Sequence, residues 1–293
     1  MPIQKIAFRV HGDKVVGNLH LPEGLGPHAA VIVGGPMTSV KEQVAGVYAK
    51  AIAERGFAAL ALDHRYYGQS EGNPRQYEKY CDKIEDLKEG LNFLATHQEI
   101  DADRLGSVGI CLGAGYAFWA SVNNARVKAI GAVVGYYRDV EAMKAENLEA
   151  FQAKVDQGRA ARELYERTGD VITIPAAALE GDAAMTLAST YDYYATPRAD
   201  VPNYTNSFAV MSREHFLPFD VQSAASKISA PTLMLHSENG LSPKWAKSFF
   251  DKLESPKQLA WLDGPDQTAF YDDPTLVEQA TDLLVAHLKA SLE

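Results

Sequence analysis

The sequence predicts an α/β fold: a mostly parallel sheet flanked by helices, with a helical cap inserted in its second half. Three observations predict it. Short apolar runs alternate with amphipathic stretches over most of the 293 residues, the signature of parallel strands joined by crossover helices. The alternation stops between Gly135 and about Lys227 and then resumes, so this stretch is expected over the sheet and not within it. Gly109-Ile110-Cys111-Leu112-Gly113 stands between an apolar run and a helix-like stretch, the setting of a sharp strand-to-helix turn that presents one side chain.

Taken in order, Ile3 to Val10 and Lys14 to Leu21 read as two strands around the turn His11-Gly12-Asp13, where residues tolerant of positive φ close a hairpin. Ala29 to Val33 is a short buried strand, and Lys41 to Arg55 is a helix with Val44, Val47, Tyr48 and Ile52 on its apolar face. Phe57 to Leu62 (strand), Ile84 to Ala95 (helix), Leu105 to Ile110 (strand), Leu112 to Val122 (helix) and Val127 to Val134 (strand) continue the rhythm. Residues 136–227 form the expected cap. Val140 to Arg167 there has a helical pattern, and Tyr191, Tyr193, Tyr194, Tyr204, Phe208, Phe216 and Phe219 follow it. Pro231 to His236 (strand), Pro243 to Leu253 (helix), Gln258 to Leu262 (strand) and the helix Thr275 to Leu292 complete the chain. The expected core is therefore residues 1–135 and 228–293, with ligands bound beyond the carboxyl ends of the strands.

Hydrophobic residues make up 46% of the chain, enough for a substantial core, and the net charge is −10. With no basic stripe, a nucleic-acid surface is not expected. No stretch approaches the roughly 20 apolar residues of a membrane span, and the start, Pro2-Ile3-Gln4-Lys5, lacks the apolar core of a signal peptide. Two cysteines, Cys81 and Cys111, do not make a disulfide framework, so a cytoplasmic, reducing setting is expected. The expected partner is a small-molecule substrate, without cofactor or metal; a homodimer is left open.

Gly109 and Gly113 leave room for the backbone to turn tightly at Cys111. The thiol then stands at a helix N-terminus, where the dipole favours an anion and is expected to lower its pKa. A buried cysteine serving only as a small hydrophobe is the alternative, which the paired glycines disfavour.

Three segments together resemble the α/β-hydrolase superfamily: Val40-Lys41-Glu42-Gln43, the run from Asp63-His64-Arg65-Tyr66-Tyr67 to Gly72, and Gly109 to Ala117. More narrowly, the chain is similar to the dienelactone-hydrolase-like branch, whose elbow carries cysteine. The resemblance implies an eight-stranded sheet and attack on an ester, lactone or thioester through an acyl-enzyme. It implies that the amides of Leu112 and of Met37, in Gly34-Gly35-Pro36-Met37, hold the oxyanion, with Gly35 and Pro36 bordering the substrate. The family's histidine falls on Gln267 and its aspartate on Gly240, leaving Glu238 as the nearest carboxylate. Glutamine takes no proton near neutral pH, so Gln267 and Glu238 are expected to orient groups instead. His236 and His215 are candidate substitute bases, while His64 and Arg65 are expected to organise loops or to meet an anionic substrate group. Tyr137 and the aromatic residues of the cap are expected to line a pocket for an apolar or aromatic acyl group. Hydrolysis, a non-hydrolytic use of the pocket (acyl transfer, cyclisation, lyase or isomerase chemistry) and ligand binding without catalysis all remain open.

Overall fold

The computed structural model describes residues 2–293. Its main sheet contains β1 (Ile3–Val10), β2 (Asp13–His20), β3 (His28–Gly34), β4 (Ala58–Asp63), β5 (Ile100–Ile110), β6 (Val127–Val133), β9 (Thr232–His236) and β10 (Lys257–Trp261). The spatial order is β1-β2-β4-β3-β5-β6-β9-β10. Only β1 with β2 and β2 with β4 pair antiparallel; every other pairing is parallel. The central strands β3 and β4 are buried along almost their whole length, which is why they read as continuous apolar runs. Helices α1 (Val44–Ala53) and α10 (Pro274–Leu292) pack together on one face. On the other lie α2 (Tyr80–Thr96), α3 (Leu112–Ser121) and α8 (Pro243–Lys252), with Phe118 of α3 against Phe249 of α8.

Between β6 and β9 the chain forms α4 (Val140–Glu146), α5 (Leu148–Thr168), a small ladder of β7 (Thr173–Ile174) with β8 (Phe208–Ala209), α6 (Ala188–Tyr194) and α7 (Ser212–Phe216). The single helix expected over Val140 to Arg167 is interrupted at Asn147, whose side chain accepts from the Ala150 N–H and starts a new helix. α9 (Ala269–Asp272) is one short turn after β10.

Two other boundaries shift for identifiable reasons. The helix expected from Lys41 begins only at Val44, because the Lys41 N–H and ammonium both go to the Asp63 carboxylate, at 2.8 and 2.7 Å. Conversely, α2 starts at Tyr80, ahead of Ile84, because its first turn buries the polar Asp82 and Lys83 and so shows no apolar periodicity.

Candidate active site

β5 ends at Ile110 and α3 begins at Leu112, leaving Cys111 alone at the turn with φ 54° and ψ −125°. A non-glycine residue held there stores roughly 1–3 kcal/mol of strain. Its neighbours show why it is tolerated. A Cβ on Gly113 would stand 2.2 Å from the Gly34 oxygen and 2.4 Å from that of Gly35, and one on Gly109 would stand 2.4 Å from the Ala114 Cα. The elbow and the loop after β3 therefore meet backbone to backbone. The turn is also tied down: the Cys111 N–H donates to Val133 O at 3.1 Å, and the Cys111 carbonyl accepts from Ala114 N at 3.1 Å and Tyr136 N at 2.9 Å.

The facing loop, Gly34 to Ser39, is fixed from below. The Thr38 N–H donates to the Glu78 carboxylate at 3.0 Å, and the Ser39 hydroxyl donates to Pro36 O at 2.8 Å. Between these anchors the Met37 N–H has no acceptor among the described residues, and Met37 borders the same cavity as Cys111. Glu78 is a buried hub. Besides Thr38 it accepts from Tyr67 OH at 2.8 Å, Tyr116 OH at 2.5 Å and the Lys83 ammonium at 2.7 Å. Burial alone would push its carboxyl up, but Lys83 and the hydrogen bonds outweigh that and hold it below the usual range. Sequence reasoning missed this pair, because a glutamate and a lysine near a helix start are ordinary surface residues until the fold encloses them.

The sulfur itself departs from expectation. Burial pushes the Cys111 thiol up, and this outweighs the Tyr271 hydroxyl, the Leu112 N–H and the Gln267 amide, each of which favours the thiolate; the negative charge of Glu78 adds to the rise. The helix N-terminus does not produce a low-pKa thiol here, because desolvation dominates.

Gln267 is locked. Its Nε2 donates to Val134 O at 2.8 Å and to Tyr271 OH at 3.3 Å, while its Oε1 accepts from the Leu241 N–H at 2.9 Å. A Cβ on Gly240 would lie 3.3 Å from that Oε1, so positions 240 and 267 stand side by side as a base and its orienting acid would.

The remaining expected site residues divide. Pro36 borders the cavity with Met37, and Gly35 abuts the elbow. Glu238 is corrected: it lies at the surface, paired with Lys247 at 2.8 Å. Tyr137 is also corrected, since it turns into the core against Phe118, Phe249 and His236, while Tyr136 and Arg138 on either side border the cavity. His236 is buried with its ring nitrogens 3.2 Å from Gly135 O and 2.9 Å from the main chain of Ser237. His215 packs beside Tyr77. Among the described residues no histidine lines the cavity or hydrogen-bonds Cys111, so neither His236 nor His215 supplies the base. His64 and Arg65 converge on Asp86, at 3.2 and 2.6 Å, and Arg65 also donates to Asp82 O. They organise the loop after β4 and do not border the cavity.

The cavity over Cys111 measures about 260 Å³ and is mostly apolar. Met143, Met185, Leu187, Tyr194 and Phe216 reach it from the segment between β6 and β9, and Leu241 and Tyr271 from the loops after β9 and β10. Sequence reasoning missed both Tyr271 and Arg138. No cluster of three or more His, Cys, Asp or Glu is placed to hold a metal among the described residues, and no helix among them is long and apolar enough to cross a membrane.

An elbow of this geometry at the carboxyl edge of an eight-stranded sheet, antiparallel only at β2, defines an enzyme of the α/β-hydrolase superfamily. Residues 16–158 match the model of the dienelactone hydrolase family. The chain is 30% identical to the uncharacterized protein YcjY of Escherichia coli strain K12 over 90% of its own length and 89% of that protein's. The solved structure of hypothetical protein PA2218 from Pseudomonas aeruginosa superposes with a TM-score of 0.86 at 27% identity, covering 99% of this chain and 94% of that one. A shorter match, 34% identical, links 41% of this chain to 37% of the thiohydrolase aneE of Aspergillus aculeatus. The chain belongs to the dienelactone hydrolase family.

Proposed function

We propose that this enzyme cleaves an acyl thioester through an S-acyl intermediate on Cys111, beneath a cap formed by residues 136–227. The observation that carries the reading is a thiol at the strained elbow, facing the cavity, with an amide in place of a basic side chain beside it. Thioester exchange suits that combination. The Cys111 sulfur bonds to the acyl carbon, the original C–S bond breaks, and the thiol proton leaves with the departing thiolate, so no net proton acceptor is required. The tetrahedral oxyanion sits between the Leu112 and Met37 N–H groups. Water then adds to the acyl carbon, releasing the acid and restoring the thiol. That step has no built-in base, so the acyl-enzyme accumulates. Similarity to a protein named as a thiohydrolase supports the substrate class, and two free cysteines suit a reducing, cytoplasmic setting.

A second reading follows from the same feature. With Gln267 where a base is expected, an alcohol carried by the substrate competes with water for the acyl group and gives a lactone or ester.

Intact-mass measurement after incubation with an acyl thioester of N-acetylcysteamine tests the proposal. Wild-type protein gains one acyl mass and Cys111→Ala gains none. Absence of an adduct on wild type, with turnover unchanged in Cys111→Ala, overturns it.

A further inference from the structure

Arg138 is the one charged side chain among the residues lining the Cys111 cavity. It is 2% exposed, so a full positive charge is enclosed there. No carboxylate is ion-paired with it among the described residues. Its Nε donates to Phe219 O at 3.2 Å and one Nη2 hydrogen to Leu217 O at 2.8 Å, and the guanidinium lies 4.3 Å from the centre of the Phe216 ring. The Nη1 group has no acceptor among the described residues. Asp220, the carboxylate whose charge acts on Arg138, accepts from the main-chain N–H groups of Val140 and Ser223 instead. A buried guanidinium is costly unless an anion meets it, and this one is anchored by its back edge with its other edge free. The loop that carries it is bonded to the elbow itself through Tyr136 N and Cys111 O.

We propose that Arg138 is a specificity-determining residue that binds a carboxylate carried on the acyl group of the substrate. The inference rests on the cavity being the acyl site, and it names the substrate class as acyl thioesters of dicarboxylic acids. The planar fork matches a carboxylate bidentately, while the apolar remainder of the cavity takes the methylene chain.

The test separates binding from chemistry by using Cys111→Ala protein, which holds an intact thioester. Succinyl, glutaryl and adipyl thioesters of N-acetylcysteamine are compared by calorimetry with their butyryl, valeryl and hexanoyl partners of equal chain length. At least one charged member binds about ten- to a hundredfold tighter than its neutral partner, the worth of a charge-assisted hydrogen-bonded pair. Adding Arg138→Met removes that preference and leaves the neutral members within a few-fold, and Arg138→Lys keeps part of it. No preference in any pair with Arg138 present, or a preference that survives Arg138→Met, overturns the proposal. If Arg138→Met fails to fold, the comparison with Arg138 in place and the Arg138→Lys protein decide it. Because these are binding measurements, a preference seen without any S-acyl adduct on wild type overturns the thioester chemistry and leaves the subsite standing.

Discussion

On the proposed acyl-enzyme route, replacing Gln267 by histidine and Gly240 by aspartate is expected to supply a general base. The structure indicates both the cost and the gain. Gln267→His alone removes the Oε1 that accepts from Leu241 N at 2.9 Å, and an unsatisfied buried N–H costs about 1–3 kcal/mol. A Cβ at position 240 would stand 3.0 Å from His236 Cε1, 3.2 Å from Ser237 O and 3.3 Å from the Gln267 Oε1. Those contacts require shifts of a few tenths of an ångström and place a carboxylate where it both takes the Leu241 N–H and orients the new imidazole. The double variant should therefore be more stable than Gln267→His alone. A positioned general base contributes roughly 10²- to 10⁴-fold, and on the proposed route that gain falls on deacylation. Single-turnover acylation followed by intact-mass decay of the S-acyl enzyme measures it directly. The decay rate should rise in the order wild type, Gln267→His, double variant. In the double variant it should increase with pH through the ordinary imidazole range near 6.5, an inflection absent from wild type. A double variant that folds and acylates but loses its acyl group at the wild-type rate, with no new inflection, would refute the reasoning that positions 267 and 240 are the vacated base and acid.

Tyr271→Phe removes the largest of the contacts that favour the Cys111 thiolate against burial. The alkylation profile of Cys111 with iodoacetamide should therefore move to higher pH; an unmoved profile excludes the contact. Gly113→Ala places a methyl group 2.2 Å from the Gly34 oxygen, and because backbone opposes backbone the loss should reach or exceed the upper end of the ~1–3 kcal/mol typical of overpacking, read as a lowered urea midpoint. Lys83→Met strands the Glu78 carboxylate in the interior and should cost about 3–5 kcal/mol. In wild type the depressed Glu78 pKa contributes stability that is present above its unfolded value and lost as pH falls through its folded one. Urea titrations below pH 5 should therefore show a shallower acid loss in a Lys83→Met/Glu78→Gln protein than in wild type.

What the sequence made legible follows from which interactions are local. Strand and helix periodicity reflects a face turned to the core, so β3, β4, β6 and α10 could be placed within a few residues. The elbow was legible because its constraint is steric and short-range, with Gly109 and Gly113 each two positions from the residue they accommodate. Polar interiors were not. Glu78, which also holds Lys83, is enclosed by Thr38 and Tyr116, 40 and 38 positions away, and Asp82 is met by Tyr66 and Arg65 of the loop after β4, so nothing in their own neighbourhood marks them. The parity of the segment after β6 was also hidden. One residue decides whether Tyr137 or its neighbours face the cavity, and that is set by the bond from Tyr136 N to Cys111 O.

The thiol's environment ties these levels together. A helix N-terminus favours an anion by about 0.3–1 kcal/mol when exposed, whereas enclosing the sulfur under Met185, Leu187 and Tyr194 withdraws the water that would solvate it. Sequence position gave the smaller effect and tertiary burial the larger, so the Cys111 thiol is pushed up and not down. On the proposed reading, a thiol with no general acid beside it suits a substrate whose leaving group departs as readily as the attacking sulfur. That favours thioesters over alkyl esters, because the tetrahedral intermediate expels a thiolate in preference to the much more basic alkoxide. The same enclosure bears on Arg138: in a cavity whose lining holds no carboxylate, its attraction for the proposed anionic acyl tail is screened little. If both proposals hold, desolvation weakens the thiol at one point of the cavity and sharpens recognition at another, and the enzyme's selectivity is expected to exceed its speed.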